Sequence, residues 1–487
     1  MKSFCVHVTS APVDAFVRCA TPVCTAGRRA SGARASSTNP TTRTRAVVFG
    51  NHHHHHHHDR DASSKATPVV AERCRRQRQR RRRGASSCRA LTNEENAPVE
   101  YDVVALGNLC VDVLLPPGPI PRPSALKTNK TLGELAKTAP ARSSWELGGN
   151  CNFLIAASRL GLRAACAGHV GKDQYGKFLI DELAIEGVEH AELIPGDDRG
   201  MRSSALAETL ICFVLSDGAG AHAFCSRYDL GPWPLMRDVS DVSNEAREVL
   251  RSCRAVFVNG FVFDELKPNA VGQALKLARS NGAGIFFDPG PRSFTFVDES
   301  NPSRMEALNV ALTNSDVVLA TEEELAALTG AALGAPPEEY ARAIFDYPGS
   351  TTEWVVVKLG PAGAMLVTRD GHTARVGCPK VKVGDTVGCG DSSAGAYVLG
   401  YLRMQANPSL ELDEVLRTTA TLATHVGSAT AMNLGAGRNV ANAETVMNLL
   451  DAAARGGTEG VDSDVAARAQ QILRDSLAAA KDRVQVV

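Results

Sequence analysis

The chain has 487 residues with 53 basic and 53 acidic side chains, so its formal net charge is zero. The balance is uneven, because residues 1–92 hold 18 Lys/Arg against 4 Asp/Glu, which leaves 35 against 49 for the rest. The mildly acidic body argues against a nucleic-acid-binding protein, and the absence of any run of about 18 apolar residues argues against a membrane span.

Residues 1–95 are interpreted as a separate leader. They are rich in Arg, Ser, Thr and Ala and nearly free of acids, which is the composition of an organelle transit peptide. Lys2 and Arg18 are the only basic residues among the first twenty, too few for a basic amphipathic presequence helix. We therefore expect a disordered leader that is removed after import into a plastid (chloroplast), with the mitochondrion as the alternative.

Two low-complexity tracts lie inside the leader. His52 to His58 are seven consecutive histidines, and residues 73–83 contain eight arginines. Because the histidine run is internal and lies within a biased region, we interpret it as compositional drift. A metal-binding tract, an engineered tag and a nucleic-acid-binding arm are the alternative interpretations of the two tracts. No aromatic residue interleaves with the arginines to stack on bases, so we expect no nucleic-acid partner for the mature protein.

From Tyr101 onward, strand-like apolar runs alternate with helical patterns. This alternation predicts an α/β fold with a doubly wound, mainly parallel sheet flanked by helices. An Ala-rich helix near 463–482 follows two glycines and is interpreted as part of a C-terminal helical extension, residues 456–487. The predicted strands are 102–107, 164–170, 209–215, 255–259, 284–287, 316–319, 354–358 and 364–368. The predicted helices are 154–160, 174–187, 268–280, 303–313, 322–329, 337–346, 391–404, 411–428 and 441–454.

Several glycine and polar residues follow the predicted strands directly. In a doubly wound sheet, ligands bind beyond the carboxyl ends of the strands, so these residues should gather at one edge. They are Gly107, Gly260, Asp288, Thr321 and Gly360. A nicotinamide dehydrogenase is disfavoured, because no Gly-x-Gly-x-x-Gly follows the first strand.

A glycine-rich turn at 384–393 leads directly into a predicted helix. Gly388 and Gly390 permit close approach of a ligand to the backbone, and the first amides of the helix have no partner inside it. These amides and the helix dipole favour a phosphate. Asp391 would repel such an anion unless it acts as a base that takes a proton from an attacking hydroxyl. The alternative is that Asp391 is only the N-cap of the helix.

This turn lacks the Gly-Lys-Ser/Thr of a Walker loop, and no His-Arg-Asp of protein kinases accompanies it. Residues 385–391, Asp-Thr-Val-Gly-Cys-Gly-Asp, instead resemble a signature of the ribokinase/phosphofructokinase-B (pfkB) family of small-molecule kinases, Asp-Thr-x-Gly-Ala-Gly-Asp. Residues 107–112 are similar to the family's first sugar-contact stretch. Residues 148–152 are similar to its Gly-Gly-rich signature, which usually has one more residue before the second Asn.

Further stretches extend the resemblance over roughly residues 100–450. Residues 321–324 are similar to the family's Asn-x-x-Glu, with Thr321 in place of Asn. Residues 288–292 are similar to Asp-Pro-Asn-x-Arg, with Gly290 in place of Asn. Residues 358–363 are similar to the strand-end stretch that cradles the nucleotide, and residues 433–438 to the last nucleotide-side loop.

The resemblance implies a kinase domain at 96–455 that transfers a phosphoryl group from ATP. Asp391 would be the general base, and the amides of Gly388, Cys389 and Gly390 would stabilise the transferring group. The expected residues on the acceptor side are Asp112, Gly148, Gly149, Asn150, Asn152 and Arg227. The expected residues on the nucleotide side are Thr321, Lys358, Gly360, Gly363, Gly435 and Gly437.

The resemblance also implies metal ions. Glu324 would help to hold Mg²⁺ through water, whereas Asp385 and Val387 would contribute to the K⁺ site that some family members use. Structural alternatives remain open for these residues taken singly. Asp112 could merely end a strand, the asparagines could cap a helix, and 358–363 could be an ordinary hairpin turn. Acidic residues at 322–324 could simply favour the helix dipole.

The family also has a small β lid, for which residues 113–125 and 205–228 are the candidates. The expected function is ATP-dependent phosphorylation of a primary hydroxyl of a small sugar, similar to fructose or ribose. A nucleoside kinase of the same family and a catalytically silent scaffold in an organelle are the alternatives. The protein would be a monomer or a homodimer formed through the lid.

Overall fold

A computed structural model describes residues 99–137, 140–195, 208–217 and 222–485. The predicted leader at 1–95, with its histidine and arginine tracts, lies outside the described residues. So do parts of the predicted lid segment 205–228, namely residues 205–207 and 218–221.

The described residues form thirteen strands in two sheets. In chain order these are β1 (Val103–Leu106), β2 (Leu109–Leu114), β3 (Trp145–Gly149), β4 (Ala164–Gly168), β5 (Glu189–Glu192), β6 (Leu210–Ser216), β7 (His222–Ser226), β8 (Ala255–Asn259), β9 (Gly284–Asp288), β10 (Val317–Thr321), β11 (Trp354–Lys358), β12 (Ala364–Thr368) and β13 (Thr373–Val376). Nine of them form the large sheet, in the order β13-β12-β11-β10-β9-β8-β1-β4-β5.

The large sheet is mainly parallel, as predicted. β1 pairs in parallel with β4 on one side and with β8 on the other. β9, β10 and β11 continue in parallel, whereas β12 and β13 are antiparallel at one edge. The central strands are continuous apolar runs with every residue buried, which is typical of a sheet covered on both faces.

The described residues form fifteen helices, most of which cover the two faces of this sheet. They are α1 (Pro123–Leu126), α2 (Asn129–Lys137), α3 (Asn150–Arg159), α4 (Gln174–Ile185), α5 (Asn244–Arg251), α6 (Val262–Glu265), α7 (Pro268–Ser280), α8 (Ser293–Phe296), α9 (Pro302–Asn314), α10 (Glu322–Thr329), α11 (Pro337–Asp346), α12 (Cys389–Ala406), α13 (Leu412–Ala431), α14 (Ala443–Ala454) and α15 (Ser463–Gln485). Alternate residues of β1 enter two separate cores: Val103 and Ala105 pack with α3, α12 and α13, and Val104 and Leu106 with α7 and α9.

The second sheet is small, with the strand order β3-β2-β6-β7. β2 pairs antiparallel with β3 and parallel with β6. The predicted segment 113–125 overlaps this sheet only in the last two residues of β2, after which the chain turns to α1. The sheet starts earlier, at Leu109, because residues 109–112 already belong to β2.

The C-terminal helix α15 packs against α13 and α14. Ala466, Ala469 and Leu473 are fully buried in that contact. The Ser476 hydroxyl donates to the Leu160 carbonyl at 2.6 Å, next to the end of α3. Because these contacts join α15 to the core, the helix belongs to the fold of the domain. Among the described residues, no helix is both long and apolar enough to cross a bilayer.

Candidate active site

Three neighbouring strands of the large sheet bring polar groups together at their carboxyl ends. Asp288 ends β9, Thr321 ends β10 and Lys358 ends β11. The Lys358 ammonium donates to Asp288 Oδ2 at 2.8 Å. Burial tends to lower the pKa of Lys358, but the negative charges of Asp288 and Glu324 outweigh burial and raise that pKa above its ordinary value. A fixed positive charge therefore stands at this edge of the sheet.

Asp391 lies in the first turn of α12, directly above these strand ends. It is the third residue of the helix, and the N-cap is Gly388 with φ +78°. The interpretation of Asp391 as an N-cap is therefore wrong. Asn152 of α3 donates its amide to Asp391 Oδ2 at 3.1 Å. Burial and the charge of Asp288 raise the pKa of Asp391 to about 6, against the lowering effects of Asn152 and Lys358.

The start of α12 presents free backbone donors. The amides of Gly388 and Gly390 have no acceptor among the described residues, whereas the Cys389 amide donates to the Thr386 carbonyl at 3.3 Å. A Cβ added at Gly390 would lie 3.3 Å from the Lys358 ammonium. The glycine amides and the lysine charge thus border one space, and together they suit an anionic group.

On the acceptor side, Asp112 of β2 is nearly buried. Its carboxylate faces Gly148 of β3 so closely that a Cβ there would overlap it. Burial and the charge of Asp391, against a hydrogen bond from Cys110, together raise the pKa of Asp112 to about 7. The Asp391 carboxylate is therefore near enough for its charge to act on Asp112.

Asn150 and Asn152, the two asparagines of the Gly-Gly-rich stretch, form different hydrogen bonds. Asn150 donates to the carbonyls of Leu106 and Gly107, at 3.2 and 2.6 Å, and accepts from Asn259 at 2.8 Å. Both of its N–H groups are therefore used inside the protein, and it braces the end of β1. Asn152 instead bridges the site, since its oxygen accepts from the Gly437 amide at 2.8 Å while its nitrogen binds Asp391.

Gly149 and Arg227 are the two other residues expected on the acceptor side. Gly149 has φ +61°, and a Cβ there would overlap the Asn108 carbonyl, so the tight turn into α3 requires glycine. Arg227, directly after β7, donates to the Gly231 carbonyl at 3.0 Å and is half-buried. Its remaining N–H groups have no acceptor among the described residues.

Thr321 and Glu324 form a capping box at the start of α10. The Thr321 hydroxyl accepts from the Glu324 amide at 3.2 Å, and Glu324 Oε2 accepts from the Thr321 amide at 2.8 Å. Glu324 Oε1 has no hydrogen-bond partner among the described residues. Burial raises the pKa of Glu324, while the charge of Lys358 lowers it. One carboxylate oxygen thus remains for a further ligand beside Lys358.

Gly360 and Gly363 lie in the turn that joins β11 to β12. These strands pair antiparallel, so this stretch is indeed a hairpin turn. Gly363 has φ +94° and packs so closely on the Val376 carbonyl that no Cβ would fit. Gly360 is exposed, with φ +54° and open space around it. The backbone at Gly360, next to Lys358, is therefore exposed and is not covered by a side chain.

The loop after α13 contacts the segment before α12 and also strand β3. Asp385 accepts from the Val387 amide at 3.0 Å and from the Gly435 amide at 3.1 Å, so both of its oxygens hold backbone. Gly437, two residues further on, packs against the backbone of Leu147 in β3. Among the described residues, no group of three or more His, Cys, Asp or Glu side chains could hold a metal ion.

Residues 130–443 match a family described as pfkB family carbohydrate kinase. The chain belongs to the pfkB family. It is similar to a 5-dehydro-2-deoxygluconokinase of Bacillus anthracis, at 27% identity over 341 residues that cover 66% of this chain and 87% of the relative. Two solved structures are similar in fold, each at 18% identity over 72% of this chain and 99% of theirs. They are a putative ribokinase II from E. coli in complex with ATP and Mg²⁺ (TM-score 0.53) and Arabidopsis thaliana ribokinase complexed with ribose and ATP (TM-score 0.51).

Membership of the pfkB family makes this protein a carbohydrate kinase, with a large mostly parallel sheet and a second small sheet. Two pairings at the pfkB site were not predicted. Asp288 was recognised as a strand-end residue, but its ion pair with Lys358 was not foreseen. His222, at the start of β7, lies with Nε2 3.7 Å from Asp385 Oδ2, so the small sheet reaches the loop before α12. Neither pairing has a local sequence signal, because each joins distant segments.

Proposed function

We propose that this pfkB kinase transfers the γ-phosphoryl group of ATP to a primary hydroxyl of a small sugar, with Asp391 as the general base. The observation that carries the proposal is the position of the Asp391 carboxylate. Its charge acts on the acceptor carboxylate Asp112, and it directly follows Gly390, which lies beside the Lys358 ammonium. The amides of Gly388 and Gly390 have no acceptor among the described residues. A base, an acceptor site and an anion site in this order are what phosphoryl transfer requires.

The chemistry follows from these contacts. Asp391, with a pKa of about 6, is mostly ionised at pH 7 and accepts the proton of the sugar hydroxyl. The sugar oxygen then bonds to the γ-phosphorus as the bond to the β–γ bridging oxygen breaks, and ADP carries that oxygen away. The Gly388 and Gly390 amides and Lys358 stabilise the negative charge on the transferring group. Asn152 holds the base in place throughout.

The residues present fit a metal-bound triphosphate. Glu324 Oε1 has no hydrogen-bond partner among the described residues, the charge of Asp288 acts on Glu324, and the amides of Gly388 and Gly390 suit a polyanion. Mg²⁺ would neutralise phosphate charge and would be held by Glu324 and Asp288 through water. We also propose a monovalent cation such as K⁺ near Asp385. Its carboxylate already holds two amides, so backbone carbonyls would supply the remaining ligands.

Several observations support a sugar as the acceptor. Asp112 and the backbone around Gly148 and Gly149 offer polar groups that hydrogen-bond vicinal hydroxyls. The curated relative in Bacillus anthracis is named for a sugar acid, and a structural neighbour was solved with ribose. Arg227 has N–H groups without an acceptor among the described residues, and these could bind a further oxygen of the sugar. Which sugar is accepted is decided by experiment.

The decisive experiment measures ATP consumption by the full chain with ribose, fructose, 5-dehydro-2-deoxygluconate and adenosine as acceptors. We expect one of the sugars to be phosphorylated, and we expect Asp391→Asn to lower kcat by about 10²–10⁴ while ATP still binds. Glu323→Gln, which changes an exposed acid in α10, serves as the matched control and should leave kcat unchanged. A wild-type rate for Asp391→Asn would refute the assigned base.

If adenosine were the only acceptor that is phosphorylated, the protein would be a nucleoside kinase and not a sugar kinase. A protein that binds no ATP would instead support the silent scaffold.

A further inference from the structure

Glu265 ends the short helix α6, which follows β8 of the large sheet. The residue is 1% exposed, and no lysine or arginine pairs with its carboxylate among the described residues. Burial raises the pKa of Glu265 to about 7, against the lowering effect of hydrogen bonds from Asn108 and Tyr228. A buried carboxylate without a cationic partner is costly, and these two hydrogen bonds offset part of the cost.

The first partner of Glu265 lies where the chain passes from the large sheet to the small one. The backbone amide of Asn108, between β1 and β2, donates to Glu265 Oε2 at 2.8 Å. Asn108 has φ +53°, and it is the only non-glycine residue in the left-handed region among the described residues. This conformation is unfavourable for a residue with a side chain, so a contact from outside the turn helps to hold it. Glu265 supplies that contact just before the strand that carries Asp112.

The other side of Asn108 faces the Gly-Gly-rich stretch. The Asn108 carbonyl accepts from the backbone amide of Asn150 at 2.9 Å, at the start of α3. A Cβ at Gly149 would lie 2.3 Å from the same carbonyl. The position of Asn108, held by Glu265, is therefore passed on to both stretches that are expected on the acceptor side.

The second partner of Glu265 lies in the turn after β7. The Tyr228 hydroxyl donates to Glu265 Oε1 at 2.7 Å, and Tyr228 is 3% exposed. Tyr228 directly follows Arg227, whose remaining N–H groups are expected to face the sugar. Both oxygens of the Glu265 carboxylate are thus engaged with the protein, so Glu265 acts on a ligand only through these partners.

Both partners lie at the same end of the small sheet. β2, β6 and β7 are neighbours in that sheet. Cys110, near the start of β2, pairs with Leu210 at the start of β6, and Cys212 of β6 pairs with Ser226 at the end of β7. One carboxylate from the large sheet therefore holds the first strand and the last turn of the same sheet end.

We infer that Glu265 is a positioning residue for the sugar, because it fixes the places of Asn108 and Tyr228 and through them of Asp112 and Arg227. The inference rests on the proposed function, in which Asp112 and Arg227 contact the acceptor. Glu265 itself takes no part in proton transfer. Its loss should weaken the binding of the sugar and leave the binding of ATP as it is.

The test is steady-state kinetics of the full chain with the sugar that the wild type phosphorylates, with each substrate varied in turn. Glu265→Ala removes both hydrogen bonds, so the KM for the sugar should rise about tenfold or more while the KM for ATP changes by less than about twofold. Tyr228→Phe removes one of the bonds and should raise the KM for the sugar about three- to tenfold.

Glu265→Gln tests whether the hydrogen bonds are the cause. The Gln side chain has the same shape, and it can accept from the Asn108 amide and donate to the Tyr228 oxygen. The KM for the sugar should then stay within about threefold of the wild-type value.

Leu473→Ala is the matched control for a general loosening of the fold. Leu473 is fully buried in α15, so the variant should be less stable than the wild type, with both KM values unchanged. Thermal unfolding shows whether each variant is folded. We expect Glu265→Ala to fold, because the ion pair of Arg292 with Asp229, at 3.2 Å, still attaches the turn after β7. If it does not fold, Tyr228→Phe decides by the same comparison.

Two outcomes would overturn the inference while the wild type still phosphorylates a sugar. One is an unchanged KM for the sugar in the folded variant. The other is an equal rise in the KM for the sugar and in the KM for ATP, which would make Glu265 a purely structural residue. A wild type that phosphorylates no sugar would instead refute the proposed function, and the inference would fail with it.

Discussion

Burial and the neighbouring charge of Asp288 hold the pKa of Asp391 at about 6, well above the ordinary value of 3.8. The folded protein therefore disfavours the ionised carboxylate that the reaction needs. Between these two pKa values the folded state binds more protons than the unfolded state. The stability of the fold consequently falls as the pH rises from about 4 to about 6, and the whole penalty is present above pH 6.

Asp391→Asn should therefore stabilise the protein although it removes the base. Two pKa units correspond to a free energy of about 3 kcal/mol, and solvent around a half-buried group reduces this, so we expect a gain of about 1–2 kcal/mol at pH 8. The gain should vanish near pH 3.5. Chemical denaturation at both pH values measures it. Equal gains at pH 8 and pH 3.5 would show that the charge is not the cause.

The same pKa predicts the pH dependence of catalysis. Below about pH 6 Asp391 is protonated and cannot accept the proton of the hydroxyl, so kcat/KM should fall about tenfold per pH unit. Because Asp112 titrates near pH 7 and interacts with Asp391, the fall should begin above pH 6. Initial rates from pH 5 to pH 8 with saturating ATP provide the test. A flat profile over this range would contradict the role of Asp391.

Gly148 gives a steric test of the acceptor side. Gly148→Ala places a methyl group against the Asp112 carboxylate, so the KM for the sugar should rise about tenfold or more while the KM for ATP stays near its original value. Gly133→Ala, in α2 with open space around it, is the control and should change neither constant. Steady-state kinetics with each substrate varied in turn separate the two effects. A larger rise in the KM for ATP than in the KM for the sugar would contradict the position of Gly148 on the acceptor side.

At the scale of elements, the sequence predicted best where a segment carries its own signal. The strands 255–259, 354–358 and 364–368 were predicted to the residue, because each is an unbroken apolar run that ends in a polar residue or a turn. The edge strands β5 and β13 were missed. Each has only four residues and no continuous apolar run: EHAE has a single apolar residue, and TARV alternates polar and apolar residues.

The residues of the site divide in the same way. Asp391, Asp112 and Asn152 were found from local motifs. In the structure Asn152 is hydrogen-bonded to Asp391, whose charge acts on Asp112. The pairing of Lys358 with Asp288 depends on the spatial order of β9, β10 and β11, which a pattern of alternating strands and helices does not specify.

Helix α15 offers a prediction at this scale. Leu473 is fully buried against α13 and α14, so Leu473→Ala should cost about 2–5 kcal/mol of unfolding free energy. Leu333→Ala, at a residue 60% exposed, should cost less than about 0.5 kcal/mol. Urea unfolding of both variants makes the comparison. A negligible loss for Leu473→Ala would mean that α15 is a dispensable extension.

At the scale of the whole molecule, the chain divides into Met1–Thr92 and Asn93–Val487. All site residues lie in the second unit, which holds both sheets and α15. A protein that starts at Asn93 should therefore keep the melting temperature and the kcat of the full chain. Differential scanning calorimetry and kinase assays of both proteins test this. A fall in either quantity would show that the first 92 residues support the kinase.

The carboxamide of Asn152 joins the Gly437 amide to the base Asp391, and Asn152 belongs to the short stretch that we propose to contact the sugar. Redesign of residues 148–152 for a new sugar should therefore also disturb the loop at Gly437 and the position of the base. Among the described residues, no residue of β6 or β7 forms a hydrogen bond with Asp391, so substitutions in these strands should leave the base in place.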